Sequence, residues 1–103
     1  MALHLIILEE CMKFTWDQNK AKTNLEKHRV SFEEAATVFS DPLAITFNDP
    51  DHSLEEERFL TFGLSNFTKR RLLIVSHVDA PGIIRIISAR EMTKHERGIY
   101  TND

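Results

Sequence analysis

Glycine, proline and cysteine are all scarce in this chain: three, three and one among 103 residues. So few chain breakers leave room for mostly regular structure. They also leave no glycine-rich loop to cradle a phosphate, no dinucleotide fingerprint and no nucleophile elbow. Folds built around nucleotide cofactors are therefore excluded, and no cofactor is expected. The lone Cys11 cannot form an intrachain disulfide, which makes a reducing cytoplasm the natural compartment. No apolar run approaches the ~20 residues a membrane helix needs. Met1–Leu8 is apolar but too short, and it lacks the basic flank and small-residue cleavage site of a signal peptide. A general positive field is missing too: net charge is -3, which argues against indiscriminate nucleic-acid binding. The histidines (His4, His28, His52, His77, His95) show no paired spacing and no zinc pattern, so no metal site is expected. Asp49, Asp51 and Glu55–Glu57 read as a solvated acidic loop.

What is present fits one domain with a modest core. Residues 1–11 read as an N-terminal extension, with an extra edge strand as the competing reading. The domain proper spans 12–103, since a second methionine, Met12, stands at its edge. Charge is divided along it. Lys13–Thr68 carries six bases against ten acids, whereas 69–97 carries seven bases against three acids. The C-terminal half is suited to an anion, and the N-terminal half to something else.

Lys13–Trp16 predicts a short strand. Asp17 is a good N-cap for a helix over Gln18–His28, with Ala21 and Leu25 spaced on one face. Ser31-Phe32-Glu33-Glu34 has the form of a capping box opening a second helix, preceded by Val30 as a hydrophobic staple. Phe32, Ala35, Ala36 and Phe39 recur at helical spacing and read as core, and Asp41-Pro42 ends the helix. Four strands follow, at 43–47, 58–64, 72–78 and 83–89, with Asp79-Ala80-Pro81-Gly82 as the turn between the last two. Short links make them antiparallel neighbours. Thr93 caps a final helix reaching about Tyr100. The order β-α-α-β-β-β-β-α predicts an α+β domain: a twisted antiparallel β-sheet with two N-terminal helices and one C-terminal helix packed on it.

Arg85-Ile86-Ile87-Ser88-Ala89-Arg90 sets two guanidiniums and a hydroxyl into an apolar strand. A charge there is costly unless it is paired or meets an anion, and arginine is well shaped to grip phosphate bidentately. Paired structural arginines are the plain alternative. Residues five apart lie on opposite faces of a regular strand. Both arginines can therefore serve one phosphate only if the chain leaves the strand near Ser88-Ala89; otherwise Arg85 is the structural one. The remaining residues suit metal-free cleavage of RNA through its own 2′-hydroxyl, which needs a base, a charge clamp and a proton for the leaving oxygen. Arg58, Arg85 and Arg90 could clamp, and Lys27 adds a further charge. Glu57 or His28 could act as base, and His28, Tyr100 or His77 as acid. Each has a plain structural reading as well: Glu57 as a surface partner of Arg58, His28 as a residue suiting a helix C-terminus, Tyr100 as terminal core.

Trp16-Asp17, Asn24 through Lys27-His28, Val30–Ala35, Phe39-x-Asp41-Pro42, Glu57-Arg58 with Gly63, Arg85–Arg90 and Glu96 together resemble the BrnT family of small bacterial type II toxins. The resemblance runs from about Lys13 to Tyr100. It implies a RelE-like ribonuclease fold, RNA cleavage that halts translation, and a BrnA-like antitoxin that touches DNA on behalf of the complex. The clustered basic residues Lys27, His28, Arg58, Arg85 and Arg90 carry over from it as catalytic candidates; Glu57 joins them from the reading of the residues, and Lys94, Arg97 and Tyr100 are the candidates for RNA contact. A degenerate member that only pairs with its DNA-binding partner is the alternative. The near-neutral charge of the domain departs from the strongly basic character of ribosome-associated toxins, which bears on ribosome dependence more than on RNA cleavage.

Overall fold

A computed structural model describes residues 12–52 and 56–102. The expectation that residues 1–11 form a separable extension lies outside the described residues. Five strands form one sheet in the order β1-β5-β4-β3-β2: β1 (Lys13–Thr15), β2 (Ile45–Asn48), β3 (Phe59–Leu64), β4 (Leu72–Ala80) and β5 (Ile83–Glu91). Among the described residues three α-helices accompany it: α1 (Gln18–His28), α2 (Phe32–Thr37, continued as a 3₁₀ turn over Val38–Ser40) and α3 (Lys94–Thr101). The fold is α+β as expected, with β2 to β5 antiparallel. The sheet as a whole is mixed, because β1 pairs with the start of β5 in parallel, Phe14 opposite Ile84. No hairpin joins these two strands, so no turn dictates their sense.

Local chemistry explains most boundaries. The Asp17 carboxylate accepts from the Asn19 and Lys20 amides and starts α1. Arg29, in the left-handed region at φ 59°, ends it. Pro81 and Gly82 form the two-residue turn between β4 and β5, where Gly82 takes the positive φ of 73° that a side chain disfavours. The Ser31 hydroxyl accepts from the Glu34 amide, so half of the expected capping box forms. The Glu34 carboxylate does not reach back. It turns instead to the Ser65 hydroxyl (2.8 Å) and to Arg71. The complete capping box belongs to α3, between Thr93 and Glu96.

Helices α1 and α2 cover one face of the sheet. Val30, Phe32, Ala35 and Val38 pack there against Leu73, Val75, Ile84, Ile86 and Ala89, with Phe14, Trp16 and Phe39 around them. Trp16 meets Phe32 edge-on at 5.9 Å. Leu25 is exposed, so α1 contributes Ala21 rather than Leu25 to this core. A smaller cluster of Phe62, Ile74 and Met92 lies on the opposite face, packed by Leu60, Leu72 and Tyr100 of α3. Arg71 ties the ends of these elements together, donating to Glu34, to Glu91 (3.1 Å) and to the Arg29 carbonyl (2.9 Å).

Candidate active site

The decisive local feature is in β5. Ile86 stands opposite His77 and Ser88 opposite Ser76, which leaves Ile87 as an extra residue at a β-bulge. Strand alternation therefore jumps by one. Ile84 and Ile86 face the helices before the bulge, and Ala89 faces them after it. The other face receives Arg85, Ser88 and Arg90, opposite Val78, Ser76 and Ile74 of β4. The strand neither ends near Ser88-Ala89 nor sends Arg85 to the far side. A one-residue bulge puts both guanidiniums on one face while β5 runs on to Glu91.

Arg85 and Arg90 meet different carboxylates there. Arg85 donates through Nη2 to Glu56 Oε2 at 2.9 Å. Glu56 Oε1 lies 3.6 Å from Arg58 Nη2, so Glu56 stands between the two arginines. Arg90 donates through Nη1 and Nη2 to the two oxygens of Glu96 at 2.8 and 2.9 Å. That bidentate pair holds the Glu96 carboxyl at about 2 against the opposing effect of burial, and raises Arg90 further above its ordinary range. About two fifths of the Arg85 and Arg90 side chains remains open to solvent (43% and 42%).

Helix α1 supplies a second group of polar residues. Beyond β1, no strand among the described residues lies beside the edge of β5, and the Asn24 amide takes that place. Nδ2 donates to the Ala89 carbonyl (2.8 Å) and the Val30 carbonyl (3.0 Å), while Oδ1 accepts from the Ala89 amide (3.0 Å). This holds the C-terminal half of α1 against the bulge. Lys27 and His28 consequently line a groove of about 310 Å³ together with Lys20, Ile87 and Ser88.

The other candidates are placed apart. Glu57 is exposed and accepts from Asn48 at 3.3 Å rather than from an arginine. Lys94 is exposed on α3, and Arg97 donates to the Met92 carbonyl at 3.2 Å. The Tyr100 hydroxyl donates to Asp41 at 2.6 Å; burial, with that hydrogen bond, pushes it up to about 12. His77 is buried on the helix-covered side, between Asp79 (2.6 Å) and Thr61 (2.7 Å) and against the Phe39 ring. Sequence reasoning missed Glu56 and the part played by Asn24. Three consecutive glutamates do not show which of them meets an arginine, and a lone asparagine in a helix carries no mark of the strand edge it will cover.

The family model described as ribonuclease toxin, BrnT, of type II toxin-antitoxin system matches residues 16–96. The chain belongs to the BrnT family. Membership makes it a ribonuclease toxin of a type II toxin–antitoxin system and implies a protein antitoxin as partner. The fold is similar to the 1.1 Å crystal structure of the Brucella abortus ribonuclease toxin BrnT, with a TM-score of 0.59 and 23% identity over 81% of this chain and 99% of that one. No curated protein matches the chain in sequence. Among the described residues, no helix is long and apolar enough to cross a membrane.

Proposed function

We propose that this BrnT-family chain is an endoribonuclease that cleaves RNA in the cytoplasm without a metal ion, using the RNA's own 2′-hydroxyl as nucleophile. The observation that carries the reading is the bulge at Ile87, which gathers Arg85, Ser88 and Arg90 on one sheet face with Arg58 nearby through Glu56. Guanidiniums fixed on a sheet can take up the charge that develops on a pentavalent phosphate, the role a metal fills elsewhere. Lys27 and His28 border Ser88 from α1 and extend the cationic surface along the strand edge. Lys94 and Arg97 on α3 would contact the flanking RNA. A BrnA-like antitoxin would neutralise the toxin by covering this face, and DNA would be reached only through that antitoxin.

The test is cleavage of RNA in excess EDTA with analysis of the ends. The expected products carry 2′,3′-cyclic phosphate or 3′-phosphate and 5′-hydroxyl groups. Activity that vanishes in EDTA and returns with magnesium contradicts the reading.

The bidentate Arg90–Glu96 pair favours a second reading: a degenerate toxin whose arginines are satisfied internally and whose role is to pair with the DNA-binding antitoxin. Partner-free protein that binds the antitoxin but leaves RNA intact would support it.

A further inference from the structure

Resting on the ribonuclease reading, we propose that Glu56 is the general base that takes the proton from the attacking 2′-hydroxyl. Its carboxylate is held between two guanidiniums, Arg85 of β5 at 2.9 Å and Arg58 just before β3 at 3.6 Å. A phosphate drawn to those guanidiniums arrives beside a carboxylate.

Among the described residues, the other carboxylates near arginines are engaged or lie elsewhere: Glu91 meets Arg71 at 3.1 Å from the helix-covered face, opposite Leu73. Glu96 gives both oxygens to Arg90, and one of them also accepts the Thr93 amide. Glu34 is buried and gives its oxygens to Arg71 and Ser65. Glu57 turns away to Asn48. Glu56 keeps Oε1 beyond hydrogen-bond distance of Arg58, and its side chain is 39% exposed. It therefore has both an acceptor and access. An ion pair this open adds little to stability, so the fold does not require the residue.

The step balances within the RNA and solvent. Glu56 accepts the 2′-hydroxyl proton as the 2′-oxygen–phosphorus bond forms. Arg85 and Arg58 hold the charge on the non-bridging oxygens. The bond from phosphorus to the 5′-oxygen breaks, that oxygen takes a proton from water, and Glu56 returns its own proton to solvent. A 2′,3′-cyclic phosphate and a 5′-hydroxyl remain.

Glu56→Gln keeps the size and an acceptor for Arg85 but removes the base. Partner-free wild type, Glu56→Gln and Glu56→Asp would be compared by single-turnover cleavage of a synthetic RNA across pH 4–9. Thermal melts and binding to the same RNA with 2′-deoxyribose at the cleaved nucleotide complete the set. The Gln variant should lose about 10²–10⁴-fold in rate, with melting and binding unchanged or binding tightened, and the Asp variant should fall between. Wild type should also lose rate toward acid pH, a limb the Gln variant lacks. A Gln variant as fast as wild type, or faster, overturns the proposal and makes Glu56 a counter-ion only. Should Gln impair folding, a wild-type profile with no acid limb overturns it equally. Wild type that cleaves no RNA defeats the ribonuclease reading, whereas cleavage indifferent to Glu56 defeats this proposal alone.

Discussion

The Asn24 amide serves Ala89 as a strand would, accepting from its N–H at 3.0 Å and donating to its carbonyl at 2.8 Å. Asn24 is buried, so neither backbone group has water to fall back on. Replacing it by Ala takes the partner from three buried backbone groups, the Ala89 N–H, the Ala89 carbonyl and the Val30 carbonyl, at about 1–3 kcal/mol each. Urea unfolding of Asn24→Ala should show a loss of about 3 kcal/mol or more. Asn24→Asp, which keeps the acceptor and loses the donor, should be no better, because its charge would be buried.

Gly63 is required by space rather than by backbone angle. A Cβ there would stand 2.7 Å from Val38 Cγ1 and 3.3 Å from both Ala44 Cβ and an Asp41 carboxylate oxygen. The same Asp41 oxygen accepts from Leu64 and Tyr100, so it is poorly free to yield. Gly63→Ala should destabilise by about 1–3 kcal/mol, which at ~4–8 °C per kcal/mol for a domain of this size is a readily measured melting shift.

Stability should depend on pH through Glu96. Its folded value of about 2 lies below the ordinary 4.5, so its contribution is complete above about 4.5 and disappears as pH falls toward 2. Because Arg90 is partly exposed, solvent screening limits this to about 1–2 kcal/mol. Glu34 and Asp41 are also held below the ordinary range. Burial alone would raise them, but hydrogen bonds from Arg71 and Ser65, and from Tyr100 and the Leu64 and Leu43 amides, outweigh it. They act in the same direction. Denaturant titrations should therefore show wild type losing more stability than Glu96→Gln between pH 5 and 2.

Tyr100 works in the opposite sense. Its folded value of about 12 lies above the ordinary 10, so its contribution is complete below pH 10 and is lost as pH rises toward 12. Tyr100→Phe should lower stability by about 1 kcal/mol at neutral pH and should remove part of the alkaline loss, as read by melting at pH 7 and 11.

Where local signals agreed, the sequence was readable. Asp17 and the helix-forming run to His28 mark α1 to the residue, and Pro81-Gly82 marks the β4–β5 turn. The parallel pairing of β1 was not readable, because no local turn specifies it. The bulge is hidden for another reason. Ile83, Ile84, Ile86 and Ile87 are all apolar, so nothing betrays the residue at which alternation slips. Only the later pair, Ser88 exposed and Ala89 buried, carries the new phase. Tyr100 reads as a terminal aromatic until Asp41, fifty-nine positions earlier, is seen beneath its hydroxyl.

Arg85 and Arg90 decide the account. Single-turnover cleavage by Arg85→Ala, Arg90→Ala and the double variant, each checked by melting and antitoxin pull-down, measures whether the shared face is a reacting face. Each single change should cost about 10²–10³-fold. The double should cost less than the product of the two if both guanidiniums serve one phosphate. Arg85→Ala should melt within a few degrees of wild type, because its ion pair is open to solvent, whereas Arg90→Ala should lose the contribution of its pair with the less exposed Glu96 and still fold. A folded Arg90→Ala protein that cleaves RNA at the wild-type rate would show that the face shared by Arg85 and Arg90 is not where RNA reacts.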